Sequence, residues 1–309
     1  MFKLPNPPSP KADTHEIADF AELLCWQQGR LSERELLACL GRLDDNDNNI
    51  GCNDDEDENA EHLDEVMNEI SQRLTACGGG YPFNLDQTGT ILKRTYDNFE
   101  KTPINSLIYI YLLLCNRLDM QKSRIHAKID GTFILEELTA HVLTNYLGTE
   151  RSQAFIFGTS NSQSFKTQID ELCSKLGEGV GYRSLIDGRT NAKDGKLDTV
   201  AWIPFADRLP GQLIIFAQCK TGTNWRDGVA QLQPINFNKK WMSHPFIIDP
   251  IRAFCISEAV NRRLWKEISI DAGILIDRCR IVDLSNGLPP SLADKIKSWT
   301  AAALNHITF

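Results

Sequence analysis

Two short stretches of the sequence combine residue types that could hold a metal ion against a phosphate. Lys193-Asp-Gly-Lys-Leu-Asp198 is acidic and turn-like, and Leu213-Ile-Ile-Phe-Ala-Gln-Cys-Lys220 is an apolar run that ends in polar residues. Side chains alternate between the two faces of a strand, so Gln218 and Lys220 point to the same side. A lysine at the end of an apolar strand is costly to bury unless its charge meets an anion or a carboxylate.

A predicted hairpin brings Asp198 close to this pair. Asp198 lies in the strand-like run 197–203, and the segment 204–211 between the two runs is rich in turn residues. A carboxylate, an amide oxygen and a lysine can together hold Mg²⁺ against a phosphate, because Mg²⁺ prefers oxygen ligands and keeps several waters. The lysine then orients the attacking water or offsets phosphate charge. The residues therefore predict metal-dependent chemistry on a phosphate group.

The arrangement resembles the PD-(D/E)xK nuclease superfamily, and within it the Mrr-like restriction endonucleases, in which Gln-x-Lys replaces Glu-x-Lys. The matching pieces are Asp194-Gly195, Asp198 and Gln218-Cys219-Lys220, and the similarity covers about residues 130–285. The resemblance implies the element order helix, strand, hairpin, helix, strand. One departure is that nineteen residues separate Asp198 from Gln218, a longer spacing than the compact form, which a longer hairpin would absorb.

The resemblance also implies a function. It implies an endonuclease that hydrolyses phosphodiester bonds, most often of DNA, in bacterial restriction or anti-phage defence. The extension Lys220-Thr-Gly-Thr-Asn-Trp225 is similar to nuclease-like proteins of such defence loci. In this interpretation Asp198, Gln218 and the main-chain carbonyl of Cys219 bind Mg²⁺ or Mn²⁺, and Lys220 positions the water. Cutting both strands needs two sites, so a homodimer or a partner subunit is expected.

Two other functions stay open at this point. Glutamine in place of an acid leaves fewer negative ligands, so the chain is alternatively a non-catalytic DNA-binding or assembly subunit of a defence complex. A nuclease that cleaves RNA on the same fold is a further alternative.

Further candidate residues flank these stretches. Superfamily nucleases often carry an extra glutamate on a helix before the sheet, and Leu135-Glu-Glu-Leu138 is similar to the start of Mrr-like domains, which nominates Glu136. Glu178 is the rival, because it lies just before the expected first strand, and spacing alone does not choose between the two. Trp225 and Arg226 are candidates for contact with a base or sugar and with phosphate. A tryptophan beside a strand end is, however, more often part of the core.

Charge and cysteine content limit the class of protein. The net charge is −8, but residues 43–66 hold eleven acidic and no basic residues, and the remainder carries +3. A near-neutral remainder permits DNA binding through a local patch. Nine cysteines without Cys-x-x-Cys spacing indicate reduced thiols and a cytoplasmic location. The longest apolar run, 107–115, is too short for a membrane span, so no membrane partner is expected.

The pattern of apolar residues predicts an α/β fold with an all-helical N-terminal domain followed by a restriction-endonuclease-like mixed sheet flanked by helices. We expect a disordered arm at 1–14, a helical domain at 15–125 with an acidic loop at 44–59, and the nuclease domain at 126–309. Helices are predicted within 15–42 and at 60–77, 86–98, 103–119, 132–148, 162–176, 226–241, 258–268 and 290–305. The helix at 226–241 is expected to be broken or kinked by Pro234. Strands are predicted after 177–182, at 197–203, 213–220 and 251–257, and within 272–284.

Overall fold

A computed structural model describes residues 2–9, 11–41, 54–157, 164–183 and 195–307, and for residues 54–60 it describes the backbone only. The chain has a mixed α/β fold, as predicted. Among the helices that the structure describes, none combines the length and the apolar character needed to cross a membrane.

The N-terminal part consists of four helices and a small sheet. The elements in chain order are α1 (Thr14–Gln28), β1 (Arg30–Ser32), α2 (Glu33–Cys39), α3 (Asp54–Ala76), β2 (Phe83–Leu85), β3 (Ile91–Arg94) and α4 (Ile104–Arg117). The three strands form an antiparallel sheet in the order β1-β3-β2. The prediction of an all-helical domain was therefore wrong in this part of the chain.

A turn explains why the segment 86–98 is not the predicted helix. The Asp86 carboxylate accepts hydrogen bonds from the N–H groups of Thr90 and Ile91, at 2.9 and 3.0 Å, and Gly89 has a φ of +77°. A short acidic side chain that bonds its own backbone a few residues on, followed by a glycine in the left-handed region, stabilises a turn. The chain therefore reverses between β2 and β3.

The C-terminal part contains the larger sheet. Its elements are β4 (Ile125–His126), β5 (Ile129–Asp130), α5 (Gly131–Leu147), β6 (Gln153–Ile156), α6 (Phe165–Leu176), β7 (Thr199–Ile203), β8 (Leu213–Lys220), α7 (Pro234–Trp241), β9 (Ile251–Ile256), α8 (Trp265–Ala272), β10 (Ile274–Ile276), α9 (Arg278–Asp283) and α10 (Pro290–Leu304). The five-stranded sheet has the order β10-β9-β8-β7-β6. β6, β7 and β8 are antiparallel, whereas β9 and β10 run parallel to β8.

Three boundaries in this part differ from the prediction. The first strand of the sheet is β6, which precedes α6 instead of following residues 177–182; residues 184–194 lie outside the described part of the chain. The predicted helix 226–241 is interrupted before Pro234, where a break or kink was expected, but its first part is only a 3₁₀ turn at Arg226–Gly228, and its second part is the separate helix α7. α7 begins at Pro234 because proline lacks an N–H and is accommodated in the first turn of a helix. The predicted helix 258–268 is a 3₁₀ turn, Arg262–Leu264, followed by α8.

The two faces of β8 pack against different helices. Ile215 and Ala217 belong to a buried cluster that also contains residues of α1, α4, α5 and α10. Ile214 and Phe216 face the other way, into a cluster with residues of α6 and α7. The first cluster runs without interruption from the N-terminal helices to the sheet, so the expected domain boundary near residue 125 does not separate two cores.

The N-terminal arm is also part of this packing. Phe2 is buried in the same cluster, and its ring lies 5.9 Å from that of Phe20 in an edge-to-face arrangement. The arm over residues 2–9 is therefore ordered against the helices, unlike the predicted disordered arm. Residues 44–53 of the predicted acidic loop lie outside the described part, and its residues 54–59 belong to α3.

Buried charges join the N-terminal helices to α9. The carboxylate of Asp19 in α1 is buried and accepts hydrogen bonds from Arg73 of α3 at 2.7 Å, from Arg117 of α4 at 2.7 Å, and from Arg278 of α9 at 2.9 and 3.0 Å. Burial by itself would raise the pKa of Asp19, but the arginines, Arg278 foremost, hold it well below its ordinary value. Further groups complete this network, which also includes Glu16, Glu22, Glu69, Tyr81 and Tyr109.

Removing one arginine from this network should destabilise the protein strongly. Arg278→Met leaves part of the Asp19 charge buried and uncompensated, which typically costs about 3–5 kcal/mol. The matched control is Arg263→Met, because the Arg263 side chain is 81% exposed and its ion pair with Glu65 contributes about 1 kcal/mol or less. Urea unfolding of both variants measures the difference. Equal losses in free energy of unfolding would contradict the importance of the network.

Candidate active site

Asp198 lies at the end of the sheet where β7 begins. Its N–H donates to the carbonyl of Ala217 at 3.0 Å, and its carbonyl accepts from the N–H of Phe157 at 2.8 Å. Its carboxylate oxygen Oδ2 accepts from the N–H of Cys219 at 2.7 Å. The side chain is thereby fixed against the last residues of β8, where the sequence placed the polar pair.

The end of β8 presents Gln218, Cys219 and Lys220 in alternation. Gln218 shares the face of Ile214 and Phe216; it is 1% exposed, and its oxygen Oε1 has no hydrogen-bond partner among the described residues. Lys220 lies on the same face, and its side chain is partly exposed. The predicted alternation is therefore present. The buried, unpartnered amide oxygen is an unusual feature that a ligand would explain.

The main chain of Cys219 faces Asp198. In a strand the N–H and C=O of one residue point to the same neighbour, and those of the next residue point to the opposite one. The N–H of Cys219 donates to Asp198, whereas the carbonyl of Lys220 accepts from Ser257, on the β9 side, at 3.3 Å. The carbonyl of Cys219 is consequently directed to the same side as the Asp198 carboxylate.

Glu136 of α5 joins Asp198 at this end of the sheet. α5 packs against β7 and β8, and the hydroxyl of Thr199 donates to the main-chain carbonyl of Glu136 at 3.3 Å. Burial, followed by the charge of Asp198, raises the pKa of Glu136 to about 8. Its oxygen Oε2 is buried without a hydrogen-bond partner among the described residues. The structure therefore brings Glu136, of the two glutamates, toward Asp198.

The pKa of Asp198 is raised as well. Burial raises it to about 6, against the opposing effects of the hydrogen bond from Cys219 and the charges of Lys220 and Lys196. Two neighbouring carboxyl groups with raised pKa values are typical of functional sites that stabilise charge or transfer protons. Sequence reasoning did not select Lys196 as a site residue, although its place two residues before Asp198 was the available signal.

Glu178 lies elsewhere and has a structural role. Its two carboxylate oxygens accept hydrogen bonds from the N–H groups of Gly211, at 2.8 Å, and Ile247, at 3.2 Å. Gly211 precedes the first residue of β8, so Glu178 sits at the opposite end of that strand from Gln218. Its carboxylate thus joins the segment at Gly211 to the segment at Ile247, and it does not lie beside Asp198.

Trp225 is buried and does not present a surface for nucleic acid. It is 1% exposed, packs against Phe254, and donates from Nε1 to the carboxylate of Glu258 at 2.9 Å. Arg226 donates to the same carboxylate at 3.2 Å and stacks over the Trp225 ring, 4.5 Å from its centroid. Glu258 was missed from the sequence, because nothing in its neighbourhood marks it as the partner of residues more than thirty positions away.

The candidate ligand atoms suit a hard divalent cation, although few of them carry a negative charge. No group of three or more His, Cys, Asp or Glu side chains that could hold a metal ion occurs in the described residues. The candidate ligands are instead Asp198, the amide oxygen of Gln218 and the carbonyl of Cys219. Glu136 is a fourth candidate, which approaches this end of the sheet from α5, on the face opposite to Gln218. All four supply oxygen, which Mg²⁺ and Mn²⁺ accept, and two of the oxygens are buried without partners. Asp194 lies outside the described residues.

Comparisons of the chain with protein-family models, with curated proteins and with solved structures found no match.

The stability of the protein should depend on pH through Glu136. A carboxyl group whose pKa is about 8 when folded and near its ordinary value when unfolded binds protons more tightly in the folded state. Its favourable contribution is therefore lost as pH rises from about 4.5 to about 8. Glu136→Gln should remove this decline. Above about pH 8 its melting temperature should exceed that of the native protein, by about 2–4 °C for each kcal/mol gained in free energy of unfolding.

The control for this prediction is Glu137→Gln, because Glu137 directly follows Glu136 in α5 and is paired with Lys295 at 2.7 Å. Thermal unfolding without divalent ions, followed from about pH 5 to about pH 8, compares the two variants with the native protein. Parallel curves for Glu136→Gln and the native protein would contradict the burial of an uncompensated carboxyl group. Mn²⁺ should then stabilise the native protein more than Glu136→Gln, since cations compete with protons for such ligands.

Proposed function

We propose that this protein is a Mg²⁺- or Mn²⁺-dependent nuclease that hydrolyses phosphodiester bonds, with DNA as the expected substrate. The observation that carries the proposal is the hydrogen bond from the N–H of Cys219 to Asp198. It fixes a carboxylate beside the strand end from which Gln218 and Lys220 project. A cation-binding carboxylate beside a lysine is one arrangement that can catalyse phosphodiester hydrolysis.

The order of elements supports the same proposal. α5, β6, the antiparallel pair β7–β8, α7 and the parallel strand β9 follow in the order that the resemblance to PD-(D/E)xK nucleases implies. Two additions lengthen it: α6 between β6 and β7, and the loop between Ile203 and Leu213. That loop accounts for the long spacing between Asp198 and Gln218. Restriction or anti-phage defence, as a biological setting, rests on the resemblance of the motif.

Each residue has a distinct role in this proposal. A cation held by Asp198, Glu136, Gln218 and the Cys219 carbonyl would polarise the phosphate and lower the pKa of a bound water. Lys220 places a positive charge at the end of β8, where it orients the water and offsets charge that develops on phosphate. Asp198 is held in one orientation by Cys219, and Glu136 holds a proton on its carboxyl group near neutral pH when no cation is present. Glu136 therefore binds a cation only as it releases that proton.

A non-catalytic nucleic-acid-binding or assembly subunit is the second candidate. It is favoured by the small number of charged ligands, since Gln218 supplies a neutral oxygen and the described residues hold no cluster of three metal-ligating side chains. Such a site binds Mg²⁺ weakly until phosphate oxygens join it. Cleavage measurements separate the two functions.

Lys220→Ala should lower the rate of plasmid cleavage by about 10²–10³, because one well-placed electrostatic group contributes that much. The fold should stay intact, since the Lys220 side chain is partly exposed. Lys175→Ala, which removes an exposed lysine from α6, is the matched control and should cleave like the native protein. Native-like cleavage by a well-folded Lys220→Ala would favour the non-catalytic subunit.

Metal ions should govern activity more than folding. A chelator should stop cleavage while the melting temperature changes little, because a weakly bound cation stabilises only in proportion to its concentration over its dissociation constant. Mn²⁺ should restore activity at a lower concentration than Mg²⁺, since it also accepts carboxylate and carbonyl oxygens, whereas Mg²⁺ demands near-ideal octahedral geometry and loses its waters reluctantly. Full cleavage in chelator would exclude the proposed magnesium site, as would loss of the fold on metal removal.

A further inference from the structure

A polar cavity lies beside the loop that follows Lys220. Its volume is about 420 Å³, which is within the size range of ligand sites in proteins. It is lined by the loop residues Thr221, Gly222, Thr223 and Asn224, by Asp119, Met120 and Gln121 after α4, and by Lys3 from the N-terminal arm. Its wall therefore includes hydroxyl, amide and ammonium groups, and it begins one residue beyond the proposed catalytic lysine.

The C-terminal end of α4 holds the two sides of this cavity together. The N–H of Gly222 donates to the carbonyl of Cys115 at 3.0 Å. The ammonium group of Lys3 donates to the carbonyls of Asn116, at 2.9 Å, and Leu118, at 3.3 Å. A cation at a helix C-terminus is favourable, so these bonds explain where Lys3 lies. They fix the loop and the lysine relative to each other.

The Lys3 ammonium is nonetheless directed toward the cavity wall. It has three N–H donors, and the two carbonyls account for two of them. Its nitrogen lies 3.5 Å from the position that a Cβ at Gly222 would occupy, and glycine suits this position because its φ is +77°. The wall also holds the Asp119 carboxylate, which lies 3.7 Å from the exposed ammonium of Lys122. The cavity thus presents one ammonium group, one carboxylate and neutral donors.

We propose that this cavity binds a backbone phosphate of the nucleic-acid strand, next to the bond cut at the candidate active site. The inference rests on the proposed function, because it takes the strand to pass over Lys220. Thr221 directly follows Lys220, so the catalytic lysine and the cavity wall belong to one continuous segment. Lysine, threonine hydroxyls and asparagine amides are the groups that proteins commonly use to contact phosphates. The contact fixes the register of the strand and reads no bases.

Salt dependence of binding tests this proposal. Lys3→Met and the control Lys11→Met, an exposed lysine of the same N-terminal segment, are each combined with Lys220→Ala and bound to a fluorescent DNA strand in Mg²⁺. Lys3→Met should weaken binding to unrelated sequences equally and make the slope of log affinity against log salt shallower by about 0.7–0.9. Lys11→Met should leave the slope unchanged. If Lys3→Met is folded and its slope is unchanged, the cavity does not bind a backbone phosphate.

Two further variants keep the test decisive if Lys3→Met unfolds. Lys3→Arg keeps the charge and should retain the native slope. Asn224→Asp adds a negative charge at an exposed wall residue, without changing the bonds of Lys3 to α4, and should weaken binding. If Asn224→Asp binds like the native protein, the cavity does not hold phosphate.

The same experiments distinguish this inference from the proposed function. If the native protein cleaves DNA and Lys3→Met binds DNA like the native protein, the phosphate site in the cavity is refuted, whereas the proposed nuclease function is not. A native protein that neither binds nor cleaves DNA would refute both. If the native protein binds DNA without cleaving it, and Lys3→Met shows a shallower slope, the results support a phosphate site in the cavity of a non-catalytic subunit.

Discussion

The carboxylate of Asp19, bound by three arginines in the interior, is the interaction on which much of the structure depends. Burying one ion costs several kcal/mol, and this cost is offset only when partners with good geometry surround it. Here the partners come from α3, α4 and α9, which are far apart in the sequence. The carboxylate can be satisfied only when all three helices are in place. The network therefore fixes the N-terminal helices relative to the end of the chain.

This constraint reaches the candidate site through β9. Arg278 also donates to the carbonyl of Ser257 at 2.9 Å, and Ser257 follows the last residue of β9. The next residue, Glu258, binds Trp225 and Arg226, which follow the loop after β8. α4 in turn binds Gly222 of the same loop. The end of β8 is thus held from both faces, as a site that must keep a carboxylate and a lysine in fixed positions requires.

The sequence correctly predicted the helices and strands that a pattern of neighbouring residues is enough to identify. β8 has the predicted bounds, and α10 differs from its predicted range by one residue, because a long apolar run and a helical period identify such elements directly. The small sheet of β1, β2 and β3 was missed, since its strands are three or four residues long and gain their stability from pairing across sixty residues. The ionic network was missed for a related reason. Charged residues on a helix indicate an exposed face, and only the fold shows that Asp19 meets Arg278.

The candidate site shows the same division between local and non-local information. Alternation along β8 placed Gln218 and Lys220 correctly on one face, and the hairpin brought Asp198 to them. The choice between Glu136 and Glu178 depended on which end of the sheet each one reaches, which the spacing of residues does not encode. The burial of Trp225 depended on Glu258, a residue on a different strand end.

Glutamine at position 218 is consistent with the electrostatics of this site. Glu136 and Asp198 already have raised pKa values, because each is buried and no full countercharge surrounds them. A carboxylate at the 1% exposed position 218 would also be buried, and burial disfavours its charged form. An amide offers a neutral oxygen there without that cost. In the proposed nuclease, such a site would bind a cation weakly on its own and more tightly when the phosphate of a substrate supplies the missing negative oxygens. Binding of the cation and binding of the strand would then be one coupled event.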